Sequence, residues 1–211
     1  MKRENKAFTL AEMLIVTAVM VIIAAVLIPV SLRMRLQFAQ RQDESLVARV
    51  SEAIEEYRRE KGEFPYRSAT DLSDRIQPFT AVEVRDLLMD CIAGPSADMN
   101  QWSWVNHPAE ADAGFSQIAT SELLYFLLSR CDESAMAIRR LPEKQLTAVY
   151  PGSEQERVIV SYNGTEYLLT RFVDSNGIAL RYYYKTQWSF PRVVAAGIDR
   201  EFDTEDDITN Y

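Results

Sequence analysis

Lys6-Ala7-Phe8-Thr9-Leu10-Ala11-Glu12 is the stretch that decides the fold of this chain. Lys2 and Arg3 lie ahead of it, so with Lys6 three positive charges fall within the first seven residues. Behind it, Met13 to Leu32 are twenty consecutive positions without a charge. As a helix, such a run is about long enough to cross the ~30 Å hydrocarbon core of a bilayer. Glu12 stands inside the membrane-facing part, where an acidic side chain costs roughly 2.5–3.5 kcal/mol on insertion scales. A carboxylate kept there points to function rather than anchorage, since a plain anchor has no use for it.

The run is also unlike a secretory signal, whose apolar region is ~7–15 residues and closes on an A-x-A-like site. No A-x-A occurs between Phe8 and Leu32. The basic leader sets the orientation, with the N-terminus cytoplasmic and the rest of the chain on the far side.

The basic leader, the small Ala7, Phe8-Thr9-Leu10-Ala11-Glu12 and the apolar helix from Met13 together resemble the class III leader of type IV prepilins and type II secretion pseudopilins. Pro29 falls where these proteins commonly carry a helix-kinking proline, while Ala7 replaces the glycine usual before their cleavage site. The resemblance implies cleavage between Ala7 and Phe8 by prepilin peptidase and N-methylation of Phe8. It further implies polymerisation with copies of itself into a helical filament, in which Glu12 pairs with the amino terminus of a neighbouring Phe8. The other implied partner is the inner-membrane assembly platform of a secretion system. The implied location is the inner membrane, single-pass, with the C-terminal domain periplasmic, and the pseudopilus after assembly. The organisation expected is a leader at 1–7, a transmembrane and assembly helix at 8–32, and a periplasmic pilin-like domain at 33–211.

The helix does not end with the membrane span. Leu46, Val50, Ile54 and Tyr57 recur on one helical face, with Arg41, Glu44, Arg49, Glu52, Glu56 and Arg59 around the rest. One helix from Phe8 to about Lys61 is therefore predicted, about 80 Å long at 1.5 Å per residue. Pro29 should bend it, Gly62 should end it and Pro65 should prevent its resumption. Its apolar half is suited to pack on copies of itself, and its amphipathic half on its own globular domain. Gly62-Glu63-Phe64-Pro65 also resembles the Gly-x-(Tyr/Phe)-Pro that ends the long helix of major pseudopilins.

Residues 66–150 are expected to be an insertion of helix and loop. Thr80-Ala81-Val82-Glu83 has the form of a capping box opening a short helix to about Ile92. Ser121 to Leu128 predicts a second, buried helix ending near Cys131. The polar segment between them carries Trp102, Trp104 and the sole histidine, His107. Two such rings form either a contact surface or, more often, part of their own core.

From Arg157 the hydrophobic period changes from 3.6 to 2. Val158 to Tyr162 is predicted as a strand, and Asn163-Gly164 as a tight hairpin turn. Glu166–Val173, Ile178–Lys185 and Phe190–Ala195 continue a β-meander over 157–195. A meander laid on the amphipathic half of a long helix is an α+β class, and it is what the resemblance implies, the pilin fold.

The last segment, 196–211, is an acidic loop. Asp174-Ser175-Asn176-Gly177 with Tyr182 looks like the family's Asp-x-x-Gly-x-x-x-x-Tyr turn. Ala195 to Ile208 is similar to the calcium loop that closes major pseudopilins, with Arg200 and Asp203 where the family often has glycine. That similarity implies calcium as cofactor, held by Asp199, Asp206, Asp207 and the Ala196 carbonyl. The alternative is a solvated acidic tail.

The net charge is −8, and removal of residues 1–7, three basic and one acidic, takes it to −10. That balance lacks the basic footprint that nucleic-acid binding requires. Cys91 and Cys131 both lie beyond the span, as either one disulfide or two small buried apolar residues. One histidine, no Gly-rich phosphate loop and no Cys-x-x-Cys leave little for enzyme chemistry. A structural subunit of a type II secretion pseudopilus is therefore expected. A type IV pilin of a surface fibre and a non-polymerising membrane-anchored binding protein using Trp102 and Trp104 are the alternatives.

Overall fold

The computed structural model describes residues 10–65, 81–94, 98–104, 115–149, 153, 156–184 and 188–210. It divides the chain into two compact units, Met1–Ala39 and Gln40–Tyr211. The class is α+β, with a long N-terminal helix, apolar in its first half, and small antiparallel sheets.

Helix α1 spans Leu10–Lys61 without interruption, carrying Pro29 inside it. The Gly62 amide still bonds back to the Arg58 carbonyl at 2.8 Å, and Gly62 then turns the chain out of the helix. In the second unit, the predicted stripe is the core. Leu46, Val50 and Ile54 are fully buried, with Val47 and Ala53 filling the same face and Tyr57 packed at its edge. Each such aliphatic side chain contributes about 1.5–3 kcal/mol by leaving water. Polar side chains fasten the same face. Ser134 Oγ donates to the Ala53 carbonyl at 2.7 Å, and Gln145 Nε2 to the Gln42 carbonyl at 3.0 Å.

Two further predicted helices exist with shifted ends. Helix α2 is Ala81–Ala93, and α3 is Phe115–Ser129 rather than 121–128. Thr80, the first residue of the expected capping box, lies outside the described residues. Helix α3 is apolar on nearly every side because it is buried on two of them. Leu124 and Leu128 join the α1 core, whereas Ala119, Leu123 and Phe126 join a second cluster with Leu88, Val158, Val160 and Leu169. A short α4, Asp132–Ile138, follows and was not foreseen.

In place of the expected single meander, the described residues form three small antiparallel sheets. Strand β1 (Trp102–Trp104) pairs with β3 (Ile159–Tyr162), which pairs with β4 (Thr165–Leu168) across the Asn163-Gly164 turn. That turn has positive φ at both central residues, which is why Asn-Gly suits it. Strand β2 (Leu146–Thr147) pairs with β5 (Arg171–Phe172). Strands β6 (Arg181–Tyr183), β7 (Arg192–Ala195) and β8 (Ile208–Thr209) form the third sheet, with β7 central. The strand expected over 166–173 is broken between β4 and β5 because its ends belong to different cores. Leu169 is buried in the second cluster and Phe172 in the first.

Candidate functional site

The N-terminal candidates are only partly within view. Ala7 and Phe8 lie outside the described residues, and Glu12 sits exposed in the first turn of α1. From Leu10 to Phe38 the large apolar side chains are all exposed, at 44–84 %. The stretch is long and apolar enough to cross a membrane, and none of its most apolar window is covered within the chain. Such a surface is stable only against lipid or against another apolar helix.

The C-terminal candidates form a different kind of site. Strand β8 returns to β7, so the acidic segment is the closed connection of a hairpin rather than a free tail. Asp206 is its keystone. Its Oδ2 accepts the Ile198 and Asp199 amides at 2.7 and 3.1 Å, and its Oδ1 accepts the Thr204 hydroxyl at 2.8 Å. The Thr204 hydroxyl, followed by the Asp199 amide, holds the Asp206 carboxyl below its ordinary value. Asp207 Oδ2 accepts the Asp203 amide at 2.8 Å, and Asp199 Oδ1 the Glu201 amide at 2.9 Å. Burial pushes the Asp207 carboxyl up.

Gly197 is demanded by this closure. Its φ is +67°, and a Cβ there would lie 2.4 Å from the Asp206 carbonyl oxygen. Arg200 and Asp203, where the resembled family often has glycine, both take left-handed backbone, at φ +68° and +69°. The exposed Asp203 side chain makes a 3.0 Å ion pair with Arg181, whose guanidinium also lies over the Phe202 ring.

For a calcium ion the donor chemistry is suitable, being carboxylate and carbonyl oxygen. Asp207 Oδ1 is shielded from solvent and has no hydrogen-bond partner among the described residues. The other carboxylate oxygens named above are engaged by amides and a hydroxyl. Among the described residues no group of three His, Cys, Asp or Glu side chains stands ready to hold a metal.

Of the two readings of the cysteines, one disulfide or two small buried residues, the structure has both as free thiols, Cys131 buried and Cys91 half-buried. Cys131 instead donates its thiol to Glu60 Oε2 of α1 at 2.6 Å, and burial raises the Cys91 thiol. Trp102 and Trp104, expected in a loop, are on β1 and stack edge to face at 5.3 Å. Both rings pack against the second core cluster, in line with the commoner of the two expectations. His107 lies outside the described residues.

Two buried polar pairings, Asp43 with Ser175 and Glu122 with Arg171, were missed in the sequence. Asp43, 2 % exposed, accepts the Ser175 amide and hydroxyl at 2.7 and 2.6 Å. A signal for it existed, because Asp43 lies four and seven residues before Val47 and Val50, on the buried stripe itself. Glu122 on α3 meets Arg171 on β5 at 3.4 Å, with both side chains buried. Arg171 also donates to the Val149 carbonyl at 2.7 Å. Burial draws the Arg171 guanidinium below its ordinary value. Glu122 falls inside the apolar period of α3, and no local pattern distinguishes it from an exposed acid.

No family model, no curated protein and no solved structure matches this chain.

Proposed function

We propose that the chain is a pseudopilin, a structural subunit of a type II secretion pseudopilus with the pilin fold. In this proposal prepilin peptidase cuts between Ala7 and Phe8, and copies polymerise through the helix that follows. The observation that carries it is the sequence motif Phe8-Thr9-Leu10-Ala11-Glu12 together with a helix α1 whose apolar half is uncovered and whose amphipathic half is buried. A filament core needs the first half bare and the second held by a domain. Assembly proceeds from the inner membrane, with the globular unit periplasmic and the assembly platform as partner.

Glu12 has a defined role in this scheme. Two charges in an apolar bundle are costly singly, and pairing Glu12 with the amino terminus of a neighbouring Phe8 makes both tolerable. Calcium belongs to the proposal as a further stabiliser of the closed C-terminal loop, with Asp199, Asp206, Asp207 and the Ala196 carbonyl as its ligands. The unpartnered Asp207 Oδ1 supports it. The binding-protein alternative is less favoured, because Trp102 and Trp104 are engaged by the core. A type IV pilin of a surface fibre uses the same architecture.

The test is intact mass and cross-linking of the membrane-extracted chain in cells with an active prepilin peptidase. A chain beginning at methylated Phe8, a cross-linked ladder, and loss of that ladder in Glu12→Ala with the globular unit still folded are the expected results. A chain still beginning at Met1, or a normal ladder from Glu12→Ala, overturns the proposal.

A further inference from the structure

The turn between β5 and β6 holds α1 with one residue and the C-terminal loop with the next. Ser175 gives its amide and its hydroxyl to the two oxygens of Asp43. Asn176 gives its Nδ2 to the Gly197 carbonyl at 2.9 Å. The turn itself is stiff. Asp174 Oδ1 accepts the Asn176 and Ile178 amides at 2.8 and 2.9 Å, the Asp174 amide bonds to the Ile178 carbonyl at 2.9 Å, and Gly177 bonds back to the Asp174 carbonyl at 3.0 Å. A displacement of Asn176 therefore carries Ser175 with it.

At the helix end of this bridge, Asp43 has little tolerance for half-measures. It is 2 % exposed, and Ser175 supplies donors to both of its oxygens. The charge of Lys144, whose Nζ bonds to the adjacent Gln42 side chain, also draws on it. A buried carboxylate whose donors withdraw is left uncompensated, so the turn is either docked on α1 or off it. At the loop end, Gly197 is wedged against Asp206, whose carboxylate gathers the Ile198 and Asp199 amides.

We propose that turn 174–177 is a rigid coupling element through which the order of the C-terminal loop and the docking of α1 at Asp43 stabilise one another. Whatever engages the loop would then tighten the hold on the long helix close to where the second unit begins, at Gln40. The coupling stands on hydrogen bonds and burial, and it is independent of the filament and calcium proposals. It is reciprocal, as any binding linkage must be, so damage at either end is felt at the other.

The experiment is amide hydrogen exchange on the full chain in detergent micelles, comparing the parent with Asp43→Asn, Asn176→Ala and the double variant. Asp43→Asn keeps the size of the side chain but sets an N–H group against the Ser175 donors. It is expected to speed exchange at Ile198 and Asp199, which it does not touch, on the order of tenfold, within the usual range of coupling energies. Val160 and Tyr167, in the β1–β3–β4 sheet, should keep their rates. In the Asn176→Ala background, Asp43→Asn should have a much smaller effect on the loop, carried only by the Asp174 carboxylate against the Ala196 amide. Should Asp43→Asn fail to fold, Ser175→Ala, which removes only the hydroxyl donor, makes the same comparison. Faster exchange at Ser175 with Ile198 and Asp199 unchanged overturns the coupling. So does a uniform rise that includes Val160 and Tyr167, and so does full additivity in the double variant.

Discussion

The two halves of α1 are continuous in backbone and opposite in fate. From Met13 to Leu32 the helix is uncharged on every side, and its large apolar side chains are bare, as they remain up to Phe38. Beyond Gln40 it carries fewer apolar residues, yet Leu46, Val47, Val50, Ala53 and Ile54 are all at 0–2 % exposure. Burial inside a chain thus follows the arrangement of apolar side chains and not their number. A stripe can be covered by one small domain, whereas an all-round apolar helix needs a surrounding medium or a ring of similar helices. The first half is built for something outside the chain, and the second for something within it.

The strongest way to break this comparison is to place the same charge in both halves. Val50→Asp should unfold the second unit, because an unpaired carboxylate in its core costs roughly 4 kcal/mol or more of a total near 5–15. Val19→Asp should leave the melting of that unit unchanged. It should instead impede membrane insertion, at about 2.5–3.5 kcal/mol for a mid-span acid. Tryptophan-fluorescence melts together with membrane fractionation distinguish the two. Equal melting losses from both variants would abolish the division of labour.

A second test asks whether the closed loop behaves as part of the buried half. Gly197→Ala should destabilise the second unit by about 2 kcal/mol, combining a left-handed backbone with a collision at the Asp206 carbonyl. Denaturant melts measure the loss, and exchange at Thr209 should rise with it. A neutral result would mean that the loop closes without the wedge.

The pH dependence sharpens the contrast, because Asp43 and Asp206 have opposite signs. Burial raises the Asp43 carboxyl above its ordinary 3.8, against the opposing pull of the Ser175 hydrogen bonds. Between 3.8 and that raised value the folded chain binds more protons than the unfolded one, so stability rises as pH falls. This contribution is complete below 3.8 and is lost as pH climbs through the raised value. Asp206, held low by Thr204 and the Asp199 amide, contributes stability above 3.8 and loses it as pH falls through its lowered value. Asp43→Asn should reduce the first slope, to which the raised Asp174 and Asp207 carboxyls also contribute, and leave the second. Melting temperature against pH for the parent and the variant decides the matter, and an unchanged upper slope would refute the assignment.

The smallest effect is expected at Arg200. Its φ of +68° costs an L side chain about 1 kcal/mol, part of which glycine returns through its freer unfolded chain. Arg200→Gly should therefore raise stability by less than about 1 kcal/mol, read as a small upward shift in melting temperature. Asp203→Gly should be no gain, because Asp203 also holds Arg181.

By itself the sequence determined the features that rest on local period and local punctuation. Twenty uncharged positions made the apolar half of α1, the Leu46-Val50-Ile54 stripe made its core face, and Asn163-Gly164 made the β3–β4 hairpin. Gly62 ended the helix where expected. Each of these is settled by neighbours within a turn or two of the chain. Tertiary structure alone decided the rest, because those outcomes depend on partners far away in sequence. Strand β1 exists because β3 offers it an edge, although Trp102-Ser103-Trp104 has no strand pattern of useful length. The expected meander split into separate sheets because Leu169 and Phe172 were claimed by different cores. The acidic loop is closed as a hairpin rather than left as a solvated tail because two residues, Ile208 and Thr209, found β7. The thiol of Cys131 met Glu60 rather than Cys91, and Asp43 met Ser175, more than a hundred positions along the chain. A polar side chain leaves water only for a partner, and that partner is chosen by the packed fold rather than by the spacing of residues.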